Sequence, residues 1–343
     1  MIRQGMLGRL GFIAVVASIG ALLVATAAQA STVTVGSVLP PGSTPTEFKT
    51  VETLFNTALP EKGANLTSPV SGAIVRWRMQ DPAGGPFVLR VLRPNGSGGY
   101  MAAGTSNPVT PSGSGLQTFT ANLPVQAGDL IGVDPTNATD KIGVAEVAGA
   151  SFGFIFPPPF DGATVAPSGS EAGKEVELSA EVQPTPVITS VAPDFGPVAG
   201  GTTVTITGTD LASTSAVKFG TLPATSFKAE SETKITAVAP PSAKVVGVDV
   251  TATTIAGTSA TVKDDRFFYE GCVVPKLKGK KLKDAKRILG RADCKVGKVT
   301  RREGKPSKAG KVLKQSAKPG KVLASHSKVN LTVGKKPAVP AAG

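Results

Sequence analysis

The sequence predicts a mainly β protein in which small domains follow one another along the chain. Glycine (40 residues) and proline (28 residues) are frequent among the 343 residues, and both favour turns over long helices. Short runs rich in Val and Thr alternate apolar and polar positions, which is typical of half-buried strands. Helical periodicity is rare, and a chain of this length has room for two or three domains.

Residues 1–30 have the pattern of a secretory signal peptide. Arg3 and Arg9 supply the positive start, and an apolar run follows over residues 10–24. Ala28-Gln29-Ala30 is a small-x-small site, so we expect cleavage after Ala30 and a secreted mature protein. The alternative is an uncleaved segment that spans a membrane, because the apolar run is barely long enough to do so. Contact with a membrane is expected only through this segment.

Residues 31–184 predict a first domain of the β-sandwich or jelly-roll type, whose function the sequence leaves open. Turn clusters rich in Pro, Gly and Ser separate short alternating segments, as in all-β sandwiches. The predicted strands are 32–38, 48–54, 73–79, 87–92, 116–121, 130–133, 152–156 and 176–182.

One strand of this domain, 73–79, separates its side chains clearly into two faces. Trp77 shares one face with other apolar residues and is predicted to lie in the core. Arg76 and Arg78 lie on the opposite face. Together with Arg90 they either line a ligand-binding face, if their strands pair, or form a solvated outer surface.

A loop of the same domain carries three oxygen-bearing side chains: Asp134, Asn137 and Asp140. They are close enough in sequence to hold a hard cation, although their spacing is not that of an EF-hand. The ordinary alternative is that Asp and Asn occupy this loop because they favour turns.

Residues 183–186 (Q-P-T-P) form a short, stiff linker, and the pattern after it changes to a second set of strands. The segment 186–211 reads P-V-I-T-S-V-A-P-D-F-G-P-V-A-G-G-T-T-V-T-I-T-G-T-D-L, and V-K-F-G-T-L-P-A and F-F-Y follow later. Residues 186–270 resemble the IPT/TIG domain, an immunoglobulin-like sandwich. The resemblance implies a self-sufficient domain that acts as a spacer between its neighbours in secreted bacterial chains.

Residues 271–335 contain the one clear helical pattern of the mature chain. Leu282, Ala285, Ile288 and Leu289 recur at helical spacing, and short β runs follow, so the predicted order is strand, helix, strand, strand, strand. The motifs V-P-K-L-K-G, K-V-G-K-V, G-K-V-L-K-Q-S-A-K-P-G and V-N-L-T-V resemble those of a PASTA domain. The resemblance implies a small α+β fold and a peptidoglycan or other cell-wall ligand.

Two residues depart from the PASTA pattern, and two cysteines add a constraint. Lys281 stands where a capping Ser or Thr is common, and His326 stands at a turn where Gly is usual.

Cys272 and Cys294 are the two cysteines of the chain. An even number in an exported protein predicts a disulfide, which would link the first strand to the end of the helix.

The positive charge is concentrated at the C-terminal end. Residues 271–343 hold 21 Lys and Arg against 3 Asp and Glu, a net +18, whereas residues 31–270 hold 14 against 21, a net −7. Such asymmetry favours a polyanionic partner, although lysines also simply solvate small domains. The candidate ligand-binding residues, chosen for clustering, are Lys276, Lys278, Lys280, Lys295, Lys298, Arg301 and Arg302.

The sequence argues against catalysis and against nucleic acid as the partner. His326 is the only His, no nucleophile or phosphate-loop motif occurs, and the two cysteines are too few for a metal site, so no cofactor or metal is expected. Residues 271–343 lack Phe, Tyr and Trp, so no base-stacking platform exists there.

The prediction is a non-catalytic protein that binds peptidoglycan or another anionic wall polymer. The alternative is a carbohydrate-binding or adhesive protein acting through residues 31–184. Residues 336–343 predict a disordered tail.

Overall fold

The computed structural model describes residues 31–335. The predicted signal peptide (1–30) and the predicted tail (336–343) lie outside the described residues. Within the described part, buried apolar side chains form clusters that follow chain order. Two clusters lie within residues 35–182, one lies within 188–269, and one lies within 272–333.

The first domain is a sandwich of two antiparallel sheets. Its strands are β1 (Val33–Gly36), β2 (Thr44–Glu47), β3 (Thr53–Ala58), β4 (Gly72–Met79), β5 (Phe87–Pro94), β6 (Tyr100–Thr105), β7 (Gln117–Val125), β8 (Leu130–Pro135), β9 (Lys141–Ile155), β10 (Thr164–Val165), β11 (Gly169–Val176) and β12 (Leu178–Pro184). One sheet has the order β1-β12-β4-β7. The other has the order β10-β6-β5-β8-β3-β9-β11, with β2 paired to β9.

The main core of this domain lies between the two sheets. Trp77 of β4 is fully buried, and its ring lies 4.8 Å from that of Phe119 on β7. Leu89 and Phe152 reach the same cluster from the second sheet. The prediction of a sandwich with Trp77 in its core is therefore confirmed.

Some strands of the first domain differ from the prediction. The predicted strand 48–54 is wrong in position, because the strand begins at Thr53 and continues to Ala58. The strands Thr44–Glu47, Tyr100–Thr105 and Gly169–Val176 were not predicted. They are polar or rich in small residues, so their formation depends on pairing with a neighbouring strand more than on local alternation.

The central domain is a second, smaller sandwich. Its strands are β13 (Val187–Ala192), β14 (Phe195–Pro197), β15 (Thr203–Thr209), β16 (Ala216–Phe219), β17 (Leu222–Pro223), β18 (Ser226–Ser231), β19 (Lys234–Val238), β20 (Gly247–Thr254), β21 (Gly257–Thr258) and β22 (Arg266–Glu270), with a 3-10 helix at Lys263–Asp265. The sheets have the orders β13-β15-β19-β18 and β14-β22-β20-β16-β17, with β21 on β20. Phe267 packs edge-on against both Phe219 and Tyr269 in the core.

The C-terminal domain packs one helix against short strands. Its elements are β23 (Cys272–Val273), α1 (Leu282–Arg291), β24 (Lys295–Glu303), a 3-10 helix (Pro306–Lys308), β25 (Val312–Gln315), β26 (Val322–Leu323) and β27 (Lys328–Lys335). β24, β27 and β25 form a sheet in that order, and β23 pairs with β26. Ala285 and Leu289 are the buried residues of the helix. The predicted order lacked β26, because a two-residue strand is too short to show a pattern.

Candidate functional site

The seven predicted cationic residues lie in two groups within the C-terminal domain, and all seven are exposed. Three occupy the segment between β23 and α1: Lys276, Lys278 and Lys280. Four occupy β24: Lys295, Lys298, Arg301 and Arg302.

The two groups lie at opposite edges of the sheet. The carbonyl of Lys280 accepts a hydrogen bond from the N–H of Val312 at 2.9 Å, so the first segment runs beside β25. β27 then separates β25 from β24. Neighbouring strands lie about 4.8 Å apart, so roughly 14 Å separates the two groups. The sequence had no means of showing this division.

A groove crosses the outward face of this sheet between the two groups. Leu331 and Val333 of β27 are buried, so Thr332 between them faces outward. Thr332 is in register with Thr300 of β24 and with Lys314 of β25. These side chains line a groove of about 420 Å³ together with Arg302 and Leu313. Arg302 is the one predicted candidate that lines it.

Lys314 and the two threonines were not among the predicted site residues. The alternation of Val329, Leu331 and Val333 already predicted that Thr332 faces outward. Lys314 was harder to place, because the pairing of β25 with β27 shifts register between Val312 and Lys314. Such a bulge changes which side chains share a face, and short-range alternation does not reveal it.

The cations around the groove have almost no carboxylate partners among residues 31–335. Among residues 271–335, Arg287 is the one Lys or Arg within 4 Å of a carboxylate, at 3.9 Å from Asp284. No ion pair in the described chain joins a basic residue of 271–335 to an acidic residue of 31–270. Arg302 and Lys314 can therefore donate to a carboxylate or phosphate, and the threonine hydroxyls can add hydrogen bonds.

A disulfide joins the first strand of this domain to the end of its helix. The bond links Cys272 to Cys294, and both residues are buried. The predicted disulfide is present in the structure. Lys281 is the N-cap of α1 and makes no side-chain capping bond, so the start of this helix is weakly capped.

His326, which stands where Gly is usual in this turn, adopts the left-handed backbone conformation with φ = 59°. Its N–H donates a hydrogen bond of 2.8 Å to the carbonyl of Asp293, and its Nε2 lies 3.3 Å from the Asp293 carboxylate. A contact of this kind holds the turn in place.

Asp134 and Asp140, two of the three side chains raised as one alternative for a loop cation site with Asn137, have hydrogen-bond partners within the first domain. Asp134 forms an ion pair with Arg90, and Asp140 accepts hydrogen bonds from the backbone N–H groups of Thr136 and Asn137. Residues 31–335 contain no group of three or more His, Cys, Asp and Glu placed to hold a metal ion. These side chains serve the turn and the core.

The expectation of a solvated outer face was wrong for Arg90. Its side chain is 7% exposed and its Nε donates to Asp134 Oδ2 at 2.9 Å. Burial raises the pKa of Asp134, and the hydrogen bond from Arg90 opposes that rise. Arg76 and Arg78 lie in the other sheet and pair with Glu181.

Comparison with protein-family models identifies two of the three domains. The IPT/TIG domain model matches residues 186–269, and the PASTA domain model matches residues 273–335. The chain contains an IPT/TIG domain and a PASTA domain. The groove and the seven predicted cations all lie within the PASTA match, and no family model matches the N-terminal domain.

The other comparisons add little about function. No curated protein matches the chain. A solved structure of the full extracellular region of plexin A4, domains 1 to 8, is similar at 13% identity with a TM-score of 0.23. That match covers 64% of this chain and 37% of the plexin chain. The chain thus spans little more than a third of that structure.

Among the helices of residues 31–335, none has the length and apolar character needed to cross a membrane.

Proposed function

We propose that this is a secreted, non-catalytic cell-envelope protein whose PASTA domain binds peptidoglycan or another anionic wall polymer. PASTA domains are generally linked to peptidoglycan-binding proteins, and both identified domains fit a cell-envelope or surface protein. The signal-peptide pattern of residues 1–30 supports export. The IPT/TIG domain then acts as a spacer that holds the PASTA and N-terminal domains apart.

The observation that carries the proposal is the groove lined by Arg302 and Lys314, neither of which lies within 4 Å of a carboxylate of residues 31–335. A guanidinium and an ammonium flank two threonines there, which suits the carboxylates of peptide stems or the phosphates of wall polymers. The domain has no aromatic side chain on which a sugar ring could stack. Recognition therefore rests on charge and hydrogen bonds, and we expect salt to weaken it.

The test compares two variants of the full chain that lose the same charge. Arg302→Gln with Lys314→Gln removes both cations of the groove. Lys283→Gln with Lys286→Gln removes two exposed cations of α1. Retention on purified cell wall is measured across a salt series. Because charged hydrogen bonds contribute about 1.5–3 kcal/mol each and two are lost, we expect the groove variant to bind about a hundredfold more weakly or worse. The helix variant should change far less.

Equal losses in the two variants would show that only net charge matters and that the groove recognises nothing. A third variant, with Lys276, Lys278 and Lys280 changed to Gln, measures whether the segment before α1 adds a second contact. Retention that does not change with salt would contradict an electrostatic mode of binding.

A further inference from the structure

The N-terminal domain carries a polar sheet face with two arginines held side by side. β4 lies between β12 and β7, and its outward side chains include Arg76 and Arg78. Glu181 of β12 is in register with Arg76 on one side, and Thr120 of β7 is in register with it on the other. We call the outward surface of β12, β4 and β7 the Arg76–Arg78 face.

One carboxylate fixes both guanidinium groups on this face. The Nε of Arg76 donates to Glu181 Oε2 at 2.8 Å, and Nη2 of Arg78 donates to Glu181 Oε1. The Glu181 side chain is only 10% exposed, whereas those of Arg76 and Arg78 are 43% and 32% exposed. The carboxylate therefore lies beneath two guanidinium groups that are open to solvent.

The charge on this face is not balanced. Two guanidinium groups share one carboxylate, and no other carboxylate within residues 31–335 lies within 4 Å of either. Nη1 of Arg76 and both Nε and Nη1 of Arg78 form no hydrogen bond with the rest of the described chain. These donors are already oriented, so a second anion would bind without the cost of ordering them.

Polar side chains continue the face along β7. Thr118 and Thr120 are in register with Arg78 and Arg76, and both are exposed. Asn122 follows, also exposed, and the run from Thr118 to Asn122 spans about 14 Å. A row of that length exceeds a single small anion and suits a chain of sugar rings that carry hydroxyl groups.

We infer that the Arg76–Arg78 face binds an acidic polysaccharide. Its oxyanion takes the free guanidinium donors of Arg76 and Arg78, whose planar fork matches carboxylate and sulfate geometry. Its hydroxyl groups meet Thr118, Thr120 and Asn122. The face offers no exposed ring for base stacking, because Phe119 packs against Trp77 in the core, so single-stranded nucleic acid fits poorly. This site goes beyond the proposed function, since it lies outside the PASTA domain.

The sole tryptophan of the chain provides a readout that the PASTA domain does not affect. Trp77 lies on β4 itself, so the thermal midpoint followed by its fluorescence reports unfolding of the N-terminal domain. A ligand that binds the folded domain raises that midpoint, and a polymer bound only to the PASTA domain does not. Polygalacturonate (carboxylated), dextran sulfate (sulfated) and neutral dextran are each added to the full chain.

We expect polygalacturonate, dextran sulfate or both to raise the Trp77 midpoint by about 2–4 °C, and neutral dextran to leave it unchanged. The probe with the larger shift identifies the oxyanion. Arg76→Lys with Arg78→Lys keeps the charge but loses the fork, and should abolish the shift. Lys49→Gln with Lys62→Gln removes two exposed charges of the same domain and should preserve it. The PASTA groove variant should preserve it as well, so failure of the proposed function and failure of this inference give different results.

If the lysine double variant does not fold, Thr118→Val with Thr120→Val replaces it, because Val keeps the strand and removes the hydroxyls. That variant should shift by less than half as much as the wild type. The inference is wrong if no acidic polymer raises the midpoint, if the lysine or valine variant responds like the wild type, or if the Lys49 and Lys62 variant loses the response too.

Discussion

The N-terminal domain and the PASTA domain differ in how many of their Lys and Arg side chains are paired with carboxylates. In residues 31–184, five of the eight Lys and Arg lie within 4 Å of a carboxylate. In residues 271–335, one of twenty does so. In the first domain the broad sheets bury three of the carboxylates that pair with these cations, namely Glu181, Asp134 and Asp129. The PASTA domain is too small to bury many charged groups.

The two domains also differ in what stabilises them. The large sandwich buries Arg90 with Asp134 and also encloses Glu175 and Glu177. The PASTA domain has about 65 residues, and a domain of that size buries a smaller share of its surface, so a disulfide supplements its core. Because its cations are not used for stability, they remain free to bind a ligand. Three predictions, from the largest expected effect to the smallest, test this contrast.

The first prediction concerns the buried pair of the N-terminal domain. Asp134→Ala leaves Arg90, whose side chain is 7% exposed, without its buried partner. Breaking such a pair costs about 3–5 kcal/mol, so we expect a loss of that size in the free energy of unfolding. Urea unfolding followed by Trp77 fluorescence measures it.

The matched control removes both charges together, as Arg90→Met with Asp134→Leu. This double variant should lose far less stability than the single one, because no uncompensated charge is left inside. A loss below about 1 kcal/mol in the single variant would mean that Arg90 finds enough compensation in Asp161, whose carboxylate lies 3.3 Å from its Nη1.

The second prediction concerns the disulfide of the PASTA domain. Cys272→Ser with Cys294→Ser opens a loop whose ends are 22 residues apart. The chain-entropy relation gives a loss of about 3 kcal/mol in the stability of this domain. Calorimetry on the full chain measures it, because the domain has no aromatic residue to follow.

The Trp77 transition serves as the internal control in that experiment and should not move. If the N-terminal domain also loses stability, the two domains unfold as one unit and the contrast between their sources of stability is wrong. An unchanged PASTA transition would show that its core suffices without the covalent link.

The third prediction concerns pH and the enclosed carboxylates of the N-terminal domain. Burial raises the pKa of Glu175 and of Glu177 to about 7, and nearby carboxylates contribute: Glu61 and Glu177 act on Glu175, and Asp81 acts on Glu177. Neither oxygen of Glu177 accepts a hydrogen bond from the residues that the structure describes. Both groups are therefore more easily kept neutral in the folded state than in the unfolded one.

Because the pKa of each group is higher in the folded protein than in the unfolded chain, folding is favoured while these carboxyls stay protonated. Their contribution to the free energy of unfolding is complete below about pH 4.5 and is lost as the pH rises through about 7. A shift from 4.5 to about 7 corresponds to a loss on the order of 3 kcal/mol for each group. Glu177→Gln should reduce the fall in Trp77-monitored stability between these pH values. A variant with the same pH profile as the wild type would show that Glu177 is ionised in the folded protein.

The sequence predicted the fold best where the pattern was local and dense. Trp77 in the alternating strand 73–79, the helical stripe of Ala285 and Leu289, and the two domain resemblances were all confirmed. It failed where pairing decides structure. Strand β11 has little alternation of its own and forms against the long strand β9, and the segment 48–54 contained no residue that marked its true start at Thr53.

The candidate site shows the same limit. Clustering in sequence selected seven cations, yet strand order places them at two edges of a sheet, and the groove between them uses Lys314, which the sequence had not singled out. Arg76, Arg78 and Arg90 gave similar sequence signals. Arg76 and Arg78 lie on the outward face of β4, which pairs with β12, whereas Arg90 lies in the second sheet and is buried.

Composition and short motifs by themselves determined that the chain is a series of β domains, that its cations are concentrated at one end, and that its two cysteines pair. These properties depend on residues that are near one another in sequence or on simple counts. Only the tertiary structure decided which charges are neutralised and which face solvent, because strands distant in sequence become neighbours through register and sheet order. The free donors of the Arg76–Arg78 face and the groove at Thr332 both arise from such long-range pairing.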